Sequence, residues 1–343
     1  RVMAIIKEEL LKIREKHATP RRTELVPDEG EMALEDLIPN EGVIITLTHA
    51  GLLKRTNISA YRAQRRGGKG VIGMTTREGD SGGDGGDFIE HLFTASTHDY
   101  LMFFTNTGRV YVERVHEVPD MGRTAKGRSI ANLLELRADE KIAAMIRVVS
   151  KVGPDNEDQT WSQSGELFFT TQRGTVKKTA LSDFANVRKG GIIAITIEEG
   201  DTLIDVKMTR GTRTDEQGNI IDKGDDVVLI TRKGMSIRFS ESDVRSMGRN
   251  AAGVRGINLN EDDAVVASAV VVPDATLLVA GENGIGKRTD FNEYRVQSRG
   301  GKGIITMKTG EKTGAVVGAL TVHDDDEIML ITVGGQMVRT FVK

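Results

Sequence analysis

Residues 64–70 read "QRRGGKG": three cations and three glycines within seven positions, with no acidic residue, metal ligand or nucleophile among them. Arginine forks and a lysine ammonium suit phosphate oxygens, and glycines let backbone amides come close to the same anion. Such a stretch can hold a phosphate but cannot break a bond. Other stretches that could carry chemistry do not complete it. "GENGIGKR" (281–288) follows the phosphate-loop spacing until Arg288 occupies the hydroxyl position, and its hairpin has five equivalents that lack the pattern. "SGGDGGD" (81–87) has no strand-to-helix context and reads as a loop. "DDDE" (324–327) reads as an acidic turn before a strand, like "EDD" at 261–263. The six histidines, among them His49, His98 and His323, show no ligand spacing. Tyr61, Tyr100, Tyr111 and Tyr294 have no catalytic neighbourhood. No catalytic residue, metal or cofactor is expected, and the chain reads as a binding protein.

Composition narrows the setting. The 343 residues are 38% hydrophobic, enough for a substantial core, and 39 glycines against six prolines point to many tight turns. There is no cysteine, so disulfides and thiolate metal sites are excluded, which fits a reducing cytoplasm. The longest nearly apolar run, "AVVASAVVV" (264–272), is far too short to cross a bilayer, so no membrane partner is expected. The chain shows no signal-peptide pattern and begins without methionine, which reads as a fragment.

Residues 1–18 place Val2, Met3, Ile6, Leu10 and Ile13 on one helical face, with Glu8 and Lys12 paired on another. Thr19-Pro20 ends this helix, because a proline pushes its predecessor out of the α region. A polar, acidic stretch to about Asp36 reads as a linker.

From Gly42 the chain repeats. An apolar strand, a turn closing in glycine and a strand carrying basic residues recur six times, with turn glycines at 51, 108, 174, 234, 284 and 335. Gly70, Gly127, Gly253 and Gly303 each follow their turn glycine by 19 residues, and Gly191 follows by 17. Apolar strands come next, such as "GIIAITI" (191–197) and "GIITM" (303–307), then a fourth strand such as "KIAAMIRVV" (141–149). About four short strands per fifty-residue unit, six times over, is the pattern of an all-β radial disc. Length variation falls in polar inserts at 77–87, 150–165 and 210–226, expected to be exposed loops. The sixth unit reaches Lys343 before its own second half, so it is expected to be truncated.

The net charge of −3 hides segregation. Windows running from each turn glycine to the end of its second basic cluster carry +6, +2, +3, +2 and +3. These 102 residues hold +16 and the other 241 hold −19. Equivalent windows on successive repeats make a basic belt, the electrostatic footprint of duplex DNA. Candidate contacts are Gln64, Arg65, Arg66, Gly67, Gly68, Lys69 and Gly70 in the first unit, with Lys54 and Arg55 beside them. Arg123, Lys126 and Arg128 follow, then Lys177, Lys178, Arg188 and Lys189. The later units add Arg238, Arg249, Arg255, Lys287, Arg288, Arg299 and Lys302. Aromatics are only 4% of residues, too few to stack unpaired bases, and no recognition-helix or zinc-finger signature appears.

With "QRRGGKG" at 64–70, "SMGRNAAGVRGI" at 246–257 and "QSRGGKGII" at 297–305, the sequence resembles the C-terminal domains of bacterial DNA gyrase A subunits, of the type IIA topoisomerases. Gln64–Gly70 match the family's gyrase A box without a substitution, and the resemblance spans essentially the whole chain. It implies a six-bladed β-pinwheel over residues 28–343, whose blades exchange strands, preceded by the end of a cleavage-domain helix and connector over 1–27. It implies duplex DNA wrapped with positive handedness around the rim, so that an ATP-dependent holoenzyme can introduce negative supercoils. The implied partners are double-stranded DNA, the gyrase B subunit, and the rest of the gyrase A subunit. ATP and Mg2+ act elsewhere in that assembly, and the isolated domain is expected to be monomeric. The cleavage domain's tyrosine nucleophile is outside this chain, so no topoisomerase activity is expected of it alone. The corresponding domain of topoisomerase IV is the alternative within the family, disfavoured by the intact box. A non-catalytic propeller scaffold for protein partners is the alternative outside it.

Overall fold

The computed structural model describes residues 2–19, 23, 37–61, 71–72, 87, 89–151, 159–332 and 336–343, with 71–72 and 336–337 as backbone only. Gln64–Gly70 lie outside the described residues. The contacts divide the chain into two units, up to Ile38 and from Pro39 onward. The first holds helix α1 (Val2–His17), whose Lys12 ammonium pairs with Glu8 at 2.9 Å as the spacing predicts, and which buries none of its residues.

The second unit is built from repeats of one hairpin. The first contributes β1 (Gly42–Thr48), β2 (Leu52–Asn57), β3 (Val71–Ile72) and β4 (Ile89–Ser96). The second contributes β5 (Tyr100–Thr105), β6 (Arg109–Arg114), β7 (Arg128–Ser129) and β8 (Ile142–Val148). The third contributes β9 (Glu166–Thr171), β10 (Thr175–Ala180), β11 (Ile192–Ile193) and β12 (Leu203–Thr209). A small hairpin of β13 (Arg213–Thr214) and β14 (Ile220–Asp222) occupies the insert at 210–226, which the sequence had suggested was only a loop. The fourth repeat contributes β15 (Asp226–Thr231), β16 (Met235–Ser240), β17 (Val254–Arg255) and β18 (Val265–Val270). The fifth contributes β19 (Thr276–Gly281), β20 (Gly286–Asp290), β21 (Ile304–Ile305) and β22 (Val316–Val322), and β23 (Glu327–Ile331) with β24 (Gln336–Phe341) ends the series.

Each hairpin turns where only glycine is comfortable: Gly51, Gly108, Gly174 and Gly234 have φ between +80° and +85°. The strands after the second glycine of each repeat are shorter than their apolar sequences suggest, two residues each, and they leave their own sheet. β7 pairs with β2, β11 with β6, β17 with β10, β21 with β16, and β3 with β24. Each full sheet therefore has three strands of one repeat and one borrowed from the next, in the order β4-β1-β2-β7 and its equivalents.

The glycine before each borrowed strand is fixed by this exchange. At Gly303 φ is +77°, and a Cβ would collide with the Ser236 carbonyl of the neighbouring repeat. Gly303→Ala should cost about 2–4 kcal/mol in chemical denaturation, from left-handed strain plus the clash. A loss within experimental error would show that β21 can be reseated freely.

The core lies between sheets. Along β5, Leu101 and Phe103 join a cluster with Ile45, Leu47 and Leu53, while Met102 and Phe104 join one with Leu167, Phe169 and Phe184. In β9, Phe168 turns the other way, toward Leu229, Ile237 and Phe239. Central strands covered on both faces need apolar side chains at every position, which is why these strands read as continuous hydrophobic runs. A smaller cluster of Ile44, Tyr61 and Ile89 takes Met329 and Ile331 from β23. Strands β8, β12, β18 and β22 pack against one another in succession, so these edges face inward and the borrowed strands lie at the opposite, outer edges. The fold is all-β and propeller-like, with a single N-terminal helix among the described residues.

Candidate nucleic-acid interface

The polypeptide reaches each borrowed strand through a short loop, and these loops carry the second basic cluster of each repeat. Before entering it, the chain runs parallel to the outer part of the neighbouring second strand, through bridges Arg55↔Asp120, Lys178↔Ser246 and Arg238↔Val296. The loops then turn sharply. Ala125 N donates to Gly122 O at 3.0 Å, Ala251 N to Gly248 O at 3.1 Å and Gly191 N to Arg188 O at 2.8 Å. Such turns project side chains outward from the sheet edge.

The candidate residues separate into three groups. Lys126, Arg128, Arg188, Lys189, Arg255 and Lys302 are exposed and make no ion pair among the described residues. Lys287 and Arg288 are exposed too, but Arg288 is engaged by Asp324 at 2.8 Å. Arg123, Arg249 and Arg299 are half-buried on the loops. Arg299 donates to the Asp243 and Arg255 carbonyls, both at 3.0 Å.

The remaining candidates do not face solvent as the sequence suggested. Lys54, Lys177 and Lys178 are buried, at 0%, 0% and 1% exposure. Lys54 Nζ donates to the carbonyls of Gly122 (3.3 Å), Arg123 (2.5 Å) and Ala125 (2.8 Å). Lys177 Nζ donates to those of Ala194 (2.6 Å), Gly248 (3.1 Å) and Arg249 (2.7 Å). Burial lowers both ammonium groups to about 8, with Arg123 adding to the effect at Lys54; at Lys177, Asp183 opposes it and Arg249 adds to it. Both lysines are still largely protonated at neutral pH. Lys178 lies between Glu166 at 2.9 Å and Glu241 at 3.5 Å. Arg55 and Arg238 are mostly covered: Arg55 donates to Val118 O at 2.8 Å, and Arg238 pairs with Asp226 at 2.7 Å. As placed, these five serve the packing of sheets and loops, and they are withdrawn from the direct phosphate contacts. The reason is local: second strands are covered by the next repeat's loop and by neighbouring carboxylates, so a basic residue there meets carbonyl or carboxylate oxygens before it meets solvent.

Sequence reasoning also missed residues. Arg245 and Arg295 are exposed, make no ion pair among the described residues, and stand 11 residues after their turn glycines, the register of Arg62 in the first repeat. That spacing was available in the sequence. Arg109 gave no such signal; its guanidinium donates to Gly190 O at 2.6 Å and Gly191 O at 2.8 Å, with Glu140 3.4 Å away. Burial raises the Tyr111 phenol, which donates to Glu140 at 2.6 Å.

Repeated antiparallel sheets that pack edge to edge and lend a strand to their neighbours define a propeller-type domain with cations at its outer edges. The family model described as DNA gyrase C-terminal domain, beta-propeller, matches residues 42–81, 99–148, 165–210, 225–271 and 275–323. The chain belongs to that family. It is 42% identical over 341 residues to the DNA gyrase A subunit of Haloquadratum walsbyi, covering 98% of this chain and 37% of the relative. It is 40% identical to the DNA gyrase A subunit of Salmonella typhimurium, covering all of this chain and 36% of the relative. The chain thus spans little more than a third of these relatives. Among solved structures, that of a DNA gyrase A C-terminal domain superposes with a TM-score of 0.70 at 27% identity, over 88% of this chain and 89% of the other. The C-terminal domain of DNA topoisomerase IV gives 0.61 at 27% identity, over 89% and 85%.

Proposed function

We propose that this chain is the DNA-wrapping domain of a gyrase A subunit: duplex DNA bends around the outer edges of the sheets, in contact with the rim loops. The observation that carries this reading is the recurrence, at equivalent loops and borrowed strands of successive repeats, of exposed cations that make no ion pair among the described residues: Lys126 and Arg128, Arg188 and Lys189, Arg255, and Lys302. Charges placed once per repeat meet a phosphate backbone at successive points along a curve. Bending 20–30 bp by 40–90° costs on the order of 1–6 kcal/mol, so several repeats must share the load. The sequence carries no recognition-helix or zinc-finger signature, so binding is read as resting on phosphates and shape.

The order of the sequence supports "QRRGGKG" as a further contact of the same kind. It precedes β3, which pairs with β24 as the other borrowed strands pair with their second strands. The β23-β24-β3 sheet and the Ile44–Met329 cluster support counting the last hairpin as a sixth blade, whose union with the first repeat closes the pinwheel. Residues 28–343 form this domain, and 1–27 are the end of the preceding domain and its connector. In the holoenzyme, together with the B subunit, positive wrapping presents one DNA segment to another so that strand passage leaves negative supercoils. The domain itself contributes no bond chemistry, and the setting is the bacterial cytoplasm.

The test is topological. The chain is incubated with singly nicked plasmid, the nick is sealed with ligase, protein is removed and topoisomers are resolved. A shift toward positive linking number, lost in Arg65→Ala/Arg66→Ala/Lys69→Ala, is the expected result. Tight duplex binding with no shift in linking number would sink the wrapping reading.

A further inference from the structure

On each second strand that receives a borrowed strand, one residue stands immediately past the two that pair with it. These residues are Lys54, Tyr111, Lys177 and Ile237, with Val338 at the same register of β24. What lies above each follows its identity. Lys54 and Lys177 sit beneath loops of one pattern, "GRTAKG" (122–127) and "GRNAAG" (248–253), and their ammonium groups reach the same two carbonyls of each loop, those of the leading glycine and arginine. Ile237 sits beneath "RGGKG" (299–303), where a Cβ on Gly301 would touch its side chain at 3.4 Å. The other "RGGKG" (66–70) precedes the strand that pairs with β24, whose residue at this register is Val338. Among the described residues the rim thus has two designs, one with a buried lysine below the loop, at Lys54 and Lys177, and one with glycines packed on a large side chain, at Ile237 and at Tyr111, whose ring a Cβ on Gly191 would meet at 2.7 Å.

We propose that Lys54 and Lys177 are positioning residues of the rim, each holding the next repeat's loop by its carbonyl oxygens so that the loop's amides and cations face a duplex phosphate. The proposal rests on the duplex-binding reading above. A peptide whose C=O is turned inward presents its N–H on the other side, and consecutive outward amides form an anion-binding concavity. Two or three carbonyls buried against a sheet need donors, and one ammonium has three to give. The lysine reaches them across the repeat boundary, so a loop belonging to one repeat is held by its neighbour. The half-buried Arg123 and Arg249 are the residues whose own carbonyls are taken, at 2.5 and 2.7 Å, which fixes the backbone from which their guanidinium groups depart. In the glycine design, close packing of loop on strand does the same work.

A double-mutant cycle on the 343-residue chain tests this, because a residue that acts through one loop loses its effect once that loop is neutralised. Affinity for a linear duplex of mixed sequence is measured for Lys54→Met alone and in the background Arg123→Ala/Lys126→Ala/Arg128→Ala. It is measured again in the background Arg249→Ala/Arg255→Ala, which alters the other clamped loop. Lys54→Met is expected to weaken binding about tenfold in the wild-type and Arg249/Arg255 backgrounds, and less than about twofold in the first-loop background. Amide hydrogen exchange of the DNA-free protein should quicken at 122–126 and stay unchanged at 248–251, the reverse holding for Lys177→Met. A general loss of folding would quicken both loops and weaken binding equally in all backgrounds, and that result overturns the proposal. So does Lys54→Met binding like wild type with its loop exchange unchanged. If the first-loop background itself binds duplex like wild type, the rim reading fails and the DNA role with it, while the exchange rates still decide whether the lysines hold the loops.

Discussion

Alanine at Lys126, Arg128, Arg188, Lys189, Arg255 and Lys302 together is expected to lower duplex affinity by about 10^3–10^4-fold at physiological salt, without changing the fold. Each cation that neutralises a phosphate releases counterions, contributing about −0.9 to the slope of log K against log salt concentration. Six such contacts steepen the slope by about 5, and removing them should flatten it by that amount. The side chains are exposed and unpaired with acidic residues among the described residues, so the variant should keep its thermal midpoint. A titration series from low to high salt, for wild type and variant, reads both quantities at once. If the wild-type slope is shallow, or the variant keeps it, duplex does not lie along these loops. The box at 64–70 remains in this variant, so residual binding centred there is expected.

The repeat, its hairpins and the all-β class could be read from sequence because glycine spacing and apolar strands are local signals. Gly51, Gly108, Gly174 and Gly234 mark turns whose φ of +80° to +85° favours glycine. The exchange of strands is not local. "GIIAITI" looks like a strand of its own repeat, yet Ile192 and Ile193 alone pair, and they pair with β6 of the preceding repeat. Nothing in that heptapeptide names its partner. Similarly, "KKT" at 177–179 and "RKG" at 188–190 carry equal charge, but the first lies beneath the loop at 248–253 and the second belongs to an exposed loop over β6. Charge counts locate the belt and cannot distinguish a lysine that faces a phosphate from one that faces a carbonyl. The distinguishing information was partly in the register: Lys54, Lys177 and Lys287 stand three residues after a turn glycine, where Tyr111, Ile237 and Val338 stand in other repeats, and Lys287, whose sheet has no borrowed strand among the described residues, is exposed. Where a borrowed strand and its loop cover this position it is buried, and a lysine there needs acceptors. Insert length was likewise visible, but the hairpin within 210–226 depends on a distant carboxylate.

That carboxylate sets up the largest expected loss of stability. Glu241 is fully buried and accepts from Thr209 Oγ1 at 2.8 Å, Gly211 N at 3.1 Å and Asp225 N at 2.6 Å, so it ties both ends of the inserted segment to the start of the next turn. Lys178 supplies the counter-charge, 3.5 Å from Glu241 and 2.9 Å from Glu166, and donates to Thr212 Oγ1 at 2.7 Å. Lys178→Met keeps the stem and removes the charge, leaving two acidic groups without their cation. Breaking a buried pair in this way costs about 3–5 kcal/mol, because the orphaned charge stays out of water. Denaturant unfolding should show that loss, while the salt slope of duplex binding, measured where the variant is still folded, should match wild type. The double variant Lys178→Met/Glu241→Gln should recover part of the stability, since the amide oxygen still accepts from Gly211 N and Asp225 N, its NH2 can donate to the Thr209 hydroxyl, and it carries no charge. A Lys178→Met variant that is as stable as wild type but has a flatter salt slope would return Lys178 to the rim. The opposite pattern separates two lysines one residue apart by what they face: Lys177 a loop's carbonyls and Lys178 a pair of carboxylates.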